Sequence, residues 1–452
     1  MPRSAHWLAA VGMVAQCSLL TSLDGLSDDG GPPDVTTEAA SDAVPETSTD
    51  AGSEADVTEE AATYNDMTDP ANWTIYDLSN VATTLPFFNG TAFDGRHVYF
   101  APGDQTGPAA GLVFRYDTTA PFMTPSSWDT YATWSDGGAG EPVVCSGGMF
   151  AAPYVYFMPL ITECCGSGHI NRVDSTKPFG DASSWSSFDT TTLNGGDNRF
   201  LGATFDGRYA YFVPQISNLF TKYDTTASFD AGSSYELFDF GSIDAGGQLM
   251  FTAIFDGHYV YVIPSTYYTA GSVVIRYDTT AAFTSGSSYT TFDTTMVNTA
   301  AKGFSGGAFD GRYLYLVPGF DGTAESGLAL RYDTQAPYAT GASWEQFDMT
   351  VLSADARDFS DAGFDGRYIY YVPNEDETSG VVVRYDTTAS FTLASSWQTF
   401  DTRTLNPSAE AYSSAVFDGR YVYFEPGGNT IVARFDARNP PALPPGFSGS
   451  FF

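Results

Sequence analysis

The sequence predicts an all-β fold, a seven-bladed β-propeller of four-stranded blades. Its last blade is closed by the N-terminal strand, and a disordered acidic tether precedes it. Three observations predict this. A phrase of the type FDGRYVYF (417–424) recurs along the 452 residues, each copy is followed by the same strand-like pieces, and the two ends of the array are complementary parts of one blade. Four antiparallel strands repeated at a near-constant interval are the signature of a propeller.

The phrase stands at 93, 205, 255, 309, 364 and 417, and its anchor phenylalanines are Phe93, Phe205, Phe255, Phe309, Phe364 and Phe417. A seventh anchor, Phe150, heads an irregular unit in which Ala151, Ala152 and Pro153 replace the DGR and YVYFMP follows. Each unit holds four pieces. A small-residue run such as FSGGAF (304–309) leads into the anchor. An alternating aromatic run follows, then VVVRYDTT (381–388) and its copies, then WQTFDTRTL (397–405) and its copies. The Asp-Gly between the first two pieces signals a two-residue hairpin with positive φ at both positions. Pro102, Pro159, Pro214, Pro264, Pro318, Pro373 and Pro426 close the second strand, where a missing N–H donor is tolerated. Small residues before the anchors (Gly90, Gly147, Gly202, Thr252, Gly306, Ser414) suit strands crowded round a narrow channel.

A solenoid is the rival architecture, and the chain ends argue against it. NWTIYDLSN (72–80) is a fourth strand with nothing before it, and TIVARFDAR (430–438) is a third strand with nothing after it. Joined, they complete a seventh blade and leave no long exposed edge. The expected organisation is a signal segment at 1–17, a linker at 18–70, the propeller at 71–438 and a Pro/Gly-rich tail at 439–452.

There are 19 Lys and Arg against 54 Asp and Glu, a formal charge of −35. So acidic a chain is repelled by phosphate backbones, so nucleic acid is not an expected partner. Residues 18–70 contain 14 Asp or Glu and no Lys or Arg. They cannot bury enough apolar surface to offset their ordering entropy, and read as a self-repelling tether. The N-terminus, MPRSAHWLAAVGMVAQC, places Arg3 before a short apolar run and Cys17 after it. It resembles the signal peptide of bacterial lipoproteins, with Val14 and Ala15 suiting the lipobox and Gln16 departing from it. That resemblance implies export, lipidation at Cys17 and attachment to an outer membrane or cell surface through the lipid alone. The repeats over 71–438 resemble those of uncharacterised bacterial lipoproteins with FDGRYVYF-type propellers. They match neither the kelch double glycine nor the WD signature, and the resemblance brings no known activity.

Twelve cations hold fixed repeat positions. Arg96, Arg208, Arg312, Arg367 and Arg420 follow the turn, and Arg115, Arg172, Lys222, Arg276, Arg331, Arg384 and Arg434 lie in strand three. An Asp stands beside each of the latter (Asp117, Asp174, Asp224, Asp278, Asp333, Asp386, Asp436). A site used once has no reason to appear seven times, so the expectation is an Arg–Asp pair between strands in each blade. The loops lack the dense DxDxDG spacing of a calcium site, and no metal or cofactor is expected.

Function is sought where the repeats disagree. The strand two–three loops and the blade connections share one face, and their sequences differ in every blade, from GDQTGPAAG (103–111) to NEDETSG (374–380). Arg199, Lys302 and Arg357 stand six or seven residues before their anchors, in positions shared by Asn198, Gln248, Asp358 and Glu410. With Trp134, Tyr267 and Tyr268 they form the expected ligand rim near the channel mouth, suited to a glycan, an anionic ligand or a surface protein. Solvated loop residues without a ligand are the alternative.

Cys145, Cys164 and Cys165 all lie in blade 2. Cys145 takes a slot that is Phe elsewhere. It reads as a buried hydrophobe or as one half of a disulfide with Cys164 or Cys165, and a vicinal bond or a Cys₃His zinc set with His169 are the rarer options. His97 and His258 are repeat variants, and no GxSxG, HExxH or P-loop pattern occurs. The leading expectation is a monomeric, non-enzymatic binding or scaffold propeller with no catalytic residues. The alternative is a carbohydrate-active enzyme, a glycoside hydrolase or lyase, using carboxylates of the variable face (Asp136, Asp197, Asp355, Asp358, Glu410).

Overall fold

The computed structural model of the protein describes residues 62–444, apart from 104–108, 110, 134–144, 160–167, 197, 216, 244–248, 266–269 and 375–378. The expectations for Cys17, Trp134, Asp136, Cys164, Cys165, Asp197, Gln248, Tyr267 and Tyr268 lie outside the described residues. Seven four-stranded antiparallel sheets form a closed ring. Their inner strands are Phe88–Phe93, Cys145–Ala151, Phe200–Phe205, Met250–Phe255, Phe304–Phe309, Phe359–Phe364 and Tyr412–Phe417, which head blades 1 to 7. Blade 7 takes its outermost strand, Trp73–Asp77, from the N-terminus, paired antiparallel with Ile431–Phe435.

The hairpin turn is tighter in its demands than the sequence suggests. In blade 5 the Asp310 N–H donates to the Tyr313 carbonyl at 3.2 Å, so the two central residues are Gly311 and Arg312. Only the glycine has positive φ, 98°, as a turn with Gly at its first central position requires. The aspartate, expected at positive φ, instead caps the turn. Its carboxylate accepts the N–H groups of Arg312 (2.8 Å) and Tyr313 (2.6 Å) and the hydroxyl of Tyr315 (2.6 Å). Asp94, Asp206, Asp256, Asp365 and Asp418 take the corresponding tyrosine hydroxyls in their blades. The repeated phrase is therefore a prefabricated hairpin whose buried polar atoms satisfy one another.

The charged repeat positions are structural. Turn arginine pairs with strand-three aspartate in Arg96–Asp117, Arg208–Asp224, Arg312–Asp333, Arg367–Asp386 and Arg420–Asp436, at 2.6–2.8 Å. His258 replaces the arginine opposite Asp278, and Lys177 serves Asp174. The strand-three cation does something else, which is to bridge blades. Arg172 lies over Tyr154 of its own blade (3.8 Å) and Phe229 of the next (4.0 Å), and Arg434 over Tyr421 and, across the closure, Phe122.

A second seam runs outside it. The fourth residue of each outer strand stacks on the first residue of the next blade's outer strand, as in Phe188–Tyr235, Phe292–Trp344 and Phe347–Trp397. Phe400–Trp73 and Tyr76–Trp128 carry the same stack through the closing strand and into blade 1. Such pairs are worth about 0.5–1.5 kcal/mol each beyond their buried area.

The N-terminal boundary differs from expectation. Residues 62–70, assigned to the linker by composition, lie on the ring. The Trp73 indole donates to the Met67 carbonyl at 2.8 Å, as Trp128 does to Phe122 and Trp397 to Phe391, always six residues back. Met67 is fully buried, and a 3₁₀ turn, Pro70–Asn72, repeats the one at Pro125–Ser127. The N-terminus thus supplies the three–four loop of blade 7 as well as its outer strand. Arg384 donates to the Asn65 carbonyl at 2.9 Å, and Thr63–Tyr64 pair with Arg438–Asn439. The start of the tail is also held: the Ala442 N–H donates to the Gly419 carbonyl at 2.9 Å.

Candidate functional site at the variable face

The blade connections fix the rim. The residue before an inner strand accepts a hydrogen bond from the start of the same blade's two–three loop. Examples are Gln215 N–H to Arg199 O (2.9 Å), Gly319 to Gly303 (3.0 Å), Asn374 to Asp358 (3.1 Å) and Gly427 to Ala411 (3.0 Å). Arg199, Lys302, Arg357, Asp358 and Glu410 therefore sit beside the loops, on the face where sequence placed them.

Their side chains are less free than expected. Exposed Arg357 meets Glu325 of blade 5's loop at 3.1 Å. Half-buried Lys302 lies beside Gly322, its Nζ 3.9 Å from where a Cβ would stand. Arg403 is held by Asp401 at 2.8 Å and Asp355 at 3.6 Å, and its guanidinium keeps the Asp401 carboxyl below the usual range. Asp358 is buried with φ of 51°, in the position where blade 5 has Gly303 (φ 69°) and blade 7 has Ala411 (φ 56°). Half-buried Glu410 offers its backbone carbonyl to the Asn429 amide.

Asn198 corrects the expected rim. It is buried, donating to the Thr190 carbonyl at 2.7 Å and accepting from Asn194 at 3.0 Å. Its amide ties the connection to the end of the outer strand, whereas in blades 4 and 6 the hydroxyls of Thr294 and Thr402 do so by donating to the Ala301 and Ala409 carbonyls. What remains at the rim is Arg199, Lys302 and Arg357, the last paired with Glu325 of a neighbouring loop.

Cys145 is fully buried with a free thiol, and burial pushes its ionisation well up. His97 lies 3.0 Å from Asp94 and His258 3.1 Å from Asp278, both as parts of their turns. Among the described residues no group of three His, Cys, Asp or Glu is placed to hold a metal, and no helix is long and apolar enough to cross a membrane. A surface groove of about 520 Å³ lies at the closure, lined by Ile75, Tyr76, Asp77, Met123, Asn406 and Ile431 among others, apart from the rim residues.

Sequence reading missed two buried carboxylates inside the ring. Asp361 occupies the small-residue slot of the inner strand. Glu425 occupies a second-strand slot that is Ala101, Met158, Val213, Ile263, Val317 or Val372 elsewhere. Aligning the seven units shows both exceptions; what the alignment lacks is their contacts.

No protein-family model matches the chain, and no curated protein sequence does. Among solved structures it is similar to virginiamycin B lyase from Staphylococcus aureus, at 12% identity over 80% of this chain and 98% of that one, with a TM-score of 0.54. It is also similar to a streptogramin B lyase, at 11% identity over 81% and 98%, with a TM-score of 0.54. At such identities the likeness is one of fold, and the fold is the propeller ring.

Proposed function

We propose that the chain is an exported, lipid-anchored propeller that acts by binding, with its ligand at the variable face beside the channel mouth. The supporting observation is the contrast in how side chains are used. The turn face spends its charged residues on contacts repeated blade after blade, whereas Arg199, Lys302 and Arg357 belong to no repeat and stand next to loops that differ in every blade. Three cations on a body of charge −35 suit an anionic ligand such as a sugar acid or an acidic surface polymer. The reading is of a monomer tethered through Cys17.

A glycan and polyanion screen on the folded protein tests it. Arg199→Ala, Lys302→Ala and Arg357→Ala together are expected to weaken binding about tenfold, roughly 1.4 kcal/mol. Glu325→Gln, which releases Arg357, is expected to tighten it. Binding that ignores both changes would place the ligand elsewhere.

A further inference from the structure

Blades 1 and 7 are the two ends of the repeat array, and the N-terminal strand Trp73–Asp77 leads from the outside of blade 7 into the inner strand of blade 1. At this junction the ladder of blade 1's inner strand is broken, a break it shares with blade 2 and not with the others. In blades 3 to 7 the residue three before the anchor pairs with the last residue before the closing proline, as in Gly202–Val213 and Gly306–Val317. In blade 1 the register passes from Phe88–Pro102 directly to Thr91–Phe100. Gly90 and Ala101 are left out of the ladder, and Gly90 has φ of 116°.

Glu425 reaches across from blade 7 to fill the gap. Its Oε2 accepts the Gly90 N–H at 2.6 Å, the Ser413 hydroxyl at 2.7 Å and the Ser414 hydroxyl at 3.1 Å. Ser414 in turn lies 3.1 Å from the Thr91 hydroxyl of blade 1. Glu425 is fully buried, and its Oε1 has no partner among the described residues.

We infer that Glu425 is the latch of the blade 7–blade 1 seam, and that the hold of this seam depends on the protonation of that one carboxyl. From blade 7 the carboxyl is faced by Ser413 and Ser414, and from blade 1 by the Gly90 and Ala101 N–H groups, with Thr91 behind Ser414. No charged side chain is among these groups. The donors favour the anion and burial opposes it. Burial dominates and pushes the carboxyl up to about 8, from an ordinary value of 4.5. A folded-state value raised above the unfolded one gives stability that is complete below about 4.5 and lost as pH rises through about 8. The seam is therefore tightest in mildly acid solution and loosens in alkali.

The test compares the full chain with Glu425→Gln and Glu425→Val by thermal melting from about pH 5 to about pH 9, with hydrogen exchange at the Gly90 amide corrected for intrinsic rate. The parent's Tm is expected to fall by several degrees relative to Glu425→Gln across that range. Its Gly90 protection should drop about tenfold while that of Glu425→Gln stays level. Glu425→Val should be equally insensitive to pH, with Gly90 exchanging fast throughout. A Tm difference from both variants that is constant with pH, or Gly90 protection indifferent to residue 425, would overturn the inference.

Discussion

The two faces of the ring are built on the same strands and used in opposite ways. On the turn face each Asp-Gly turn feeds its carboxylate two backbone N–H groups and a buried tyrosine hydroxyl, and an arginine pairs with the strand-three aspartate. These polar groups are spent on the blade itself. On the variable face the connections carry side chains of no fixed type, and their pairs, such as Arg357–Glu325, join loops of different blades. The difference shows that repetition in this chain marks structure. The proposed function assigns recognition to exposed breaks in that repetition.

The most severe way to break the comparison is to remove what closes the ring. A chain beginning at residue 82 loses the closing strand, the Trp73–Phe400 and Tyr76–Trp128 stacks and buried Met67, and exposes the edge at Ile431–Asp436. It is expected to lose cooperative melting and to associate through that edge, as followed by calorimetry and light scattering. A monomer with the parental Tm would refute the closure.

Next in size is the turn. Asp310→Ala strands two N–H groups and the Tyr315 hydroxyl, and should cost about 3 kcal/mol in chemical denaturation while leaving ligand binding intact. The same denaturation applied to Glu325→Gln should show almost no change, because its pair with Arg357 is solvent-exposed.

Acid titration sharpens the contrast within the turn face itself. Asp224, held by Arg208, has a carboxyl lowered to about 2, so its contribution is present above about 3.8 and is lost as pH falls through about 2. Asp365 has the opposite sign: burial raises it to about 6, so its contribution is full below about 3.8 and lost as pH rises through about 6. Asp365→Asn is expected to flatten the Tm profile between these two values, and an unchanged slope would show that Asp365 is not desolvated.

The smallest effect lies at a connection. Ala411 holds a left-handed φ of 56° where blade 5 uses Gly303. Ala411→Gly should stabilise the protein by about 1 kcal/mol, measured by the same denaturation. A loss would mean that the methyl group packs too well to give up.

Much of the fold is legible in the chain. Alternation, the DGR turns and the prolines specify strands and their order, and the orphan fourth strand at 72–80 announces the closure. The loop before it is hidden, because Asp66, Thr68 and Asp69 share the composition of the acidic linker. The signal that could have found it is the six-residue spacing from Met67 to Trp73, identical to Phe122–Trp128. Asn198 reads as rim because polarity in a loop cannot say whether an amide faces solvent or a backbone carbonyl. Glu425 escapes notice because a single glutamate among aromatic strands has no meaning until its cross-blade donors are known.

The sequence alone determined the blade count, the strand order and the place of the cut, since these follow from local period and from turn chemistry that each unit carries within itself. Only the tertiary structure decided how deeply each of these turns is buried. Asp94 and Asp365 stand in the same DGR-type phrase, yet one carboxyl is lowered and the other raised. Around the turn of Asp365, Tyr64 packs on Tyr368, and Pro444 and Arg438 come against Gly366. Those neighbours are far away in sequence. They add to the burial that raises the Asp365 carboxyl, whereas Asp94 is lowered by the hydrogen bond from His97 of its own turn.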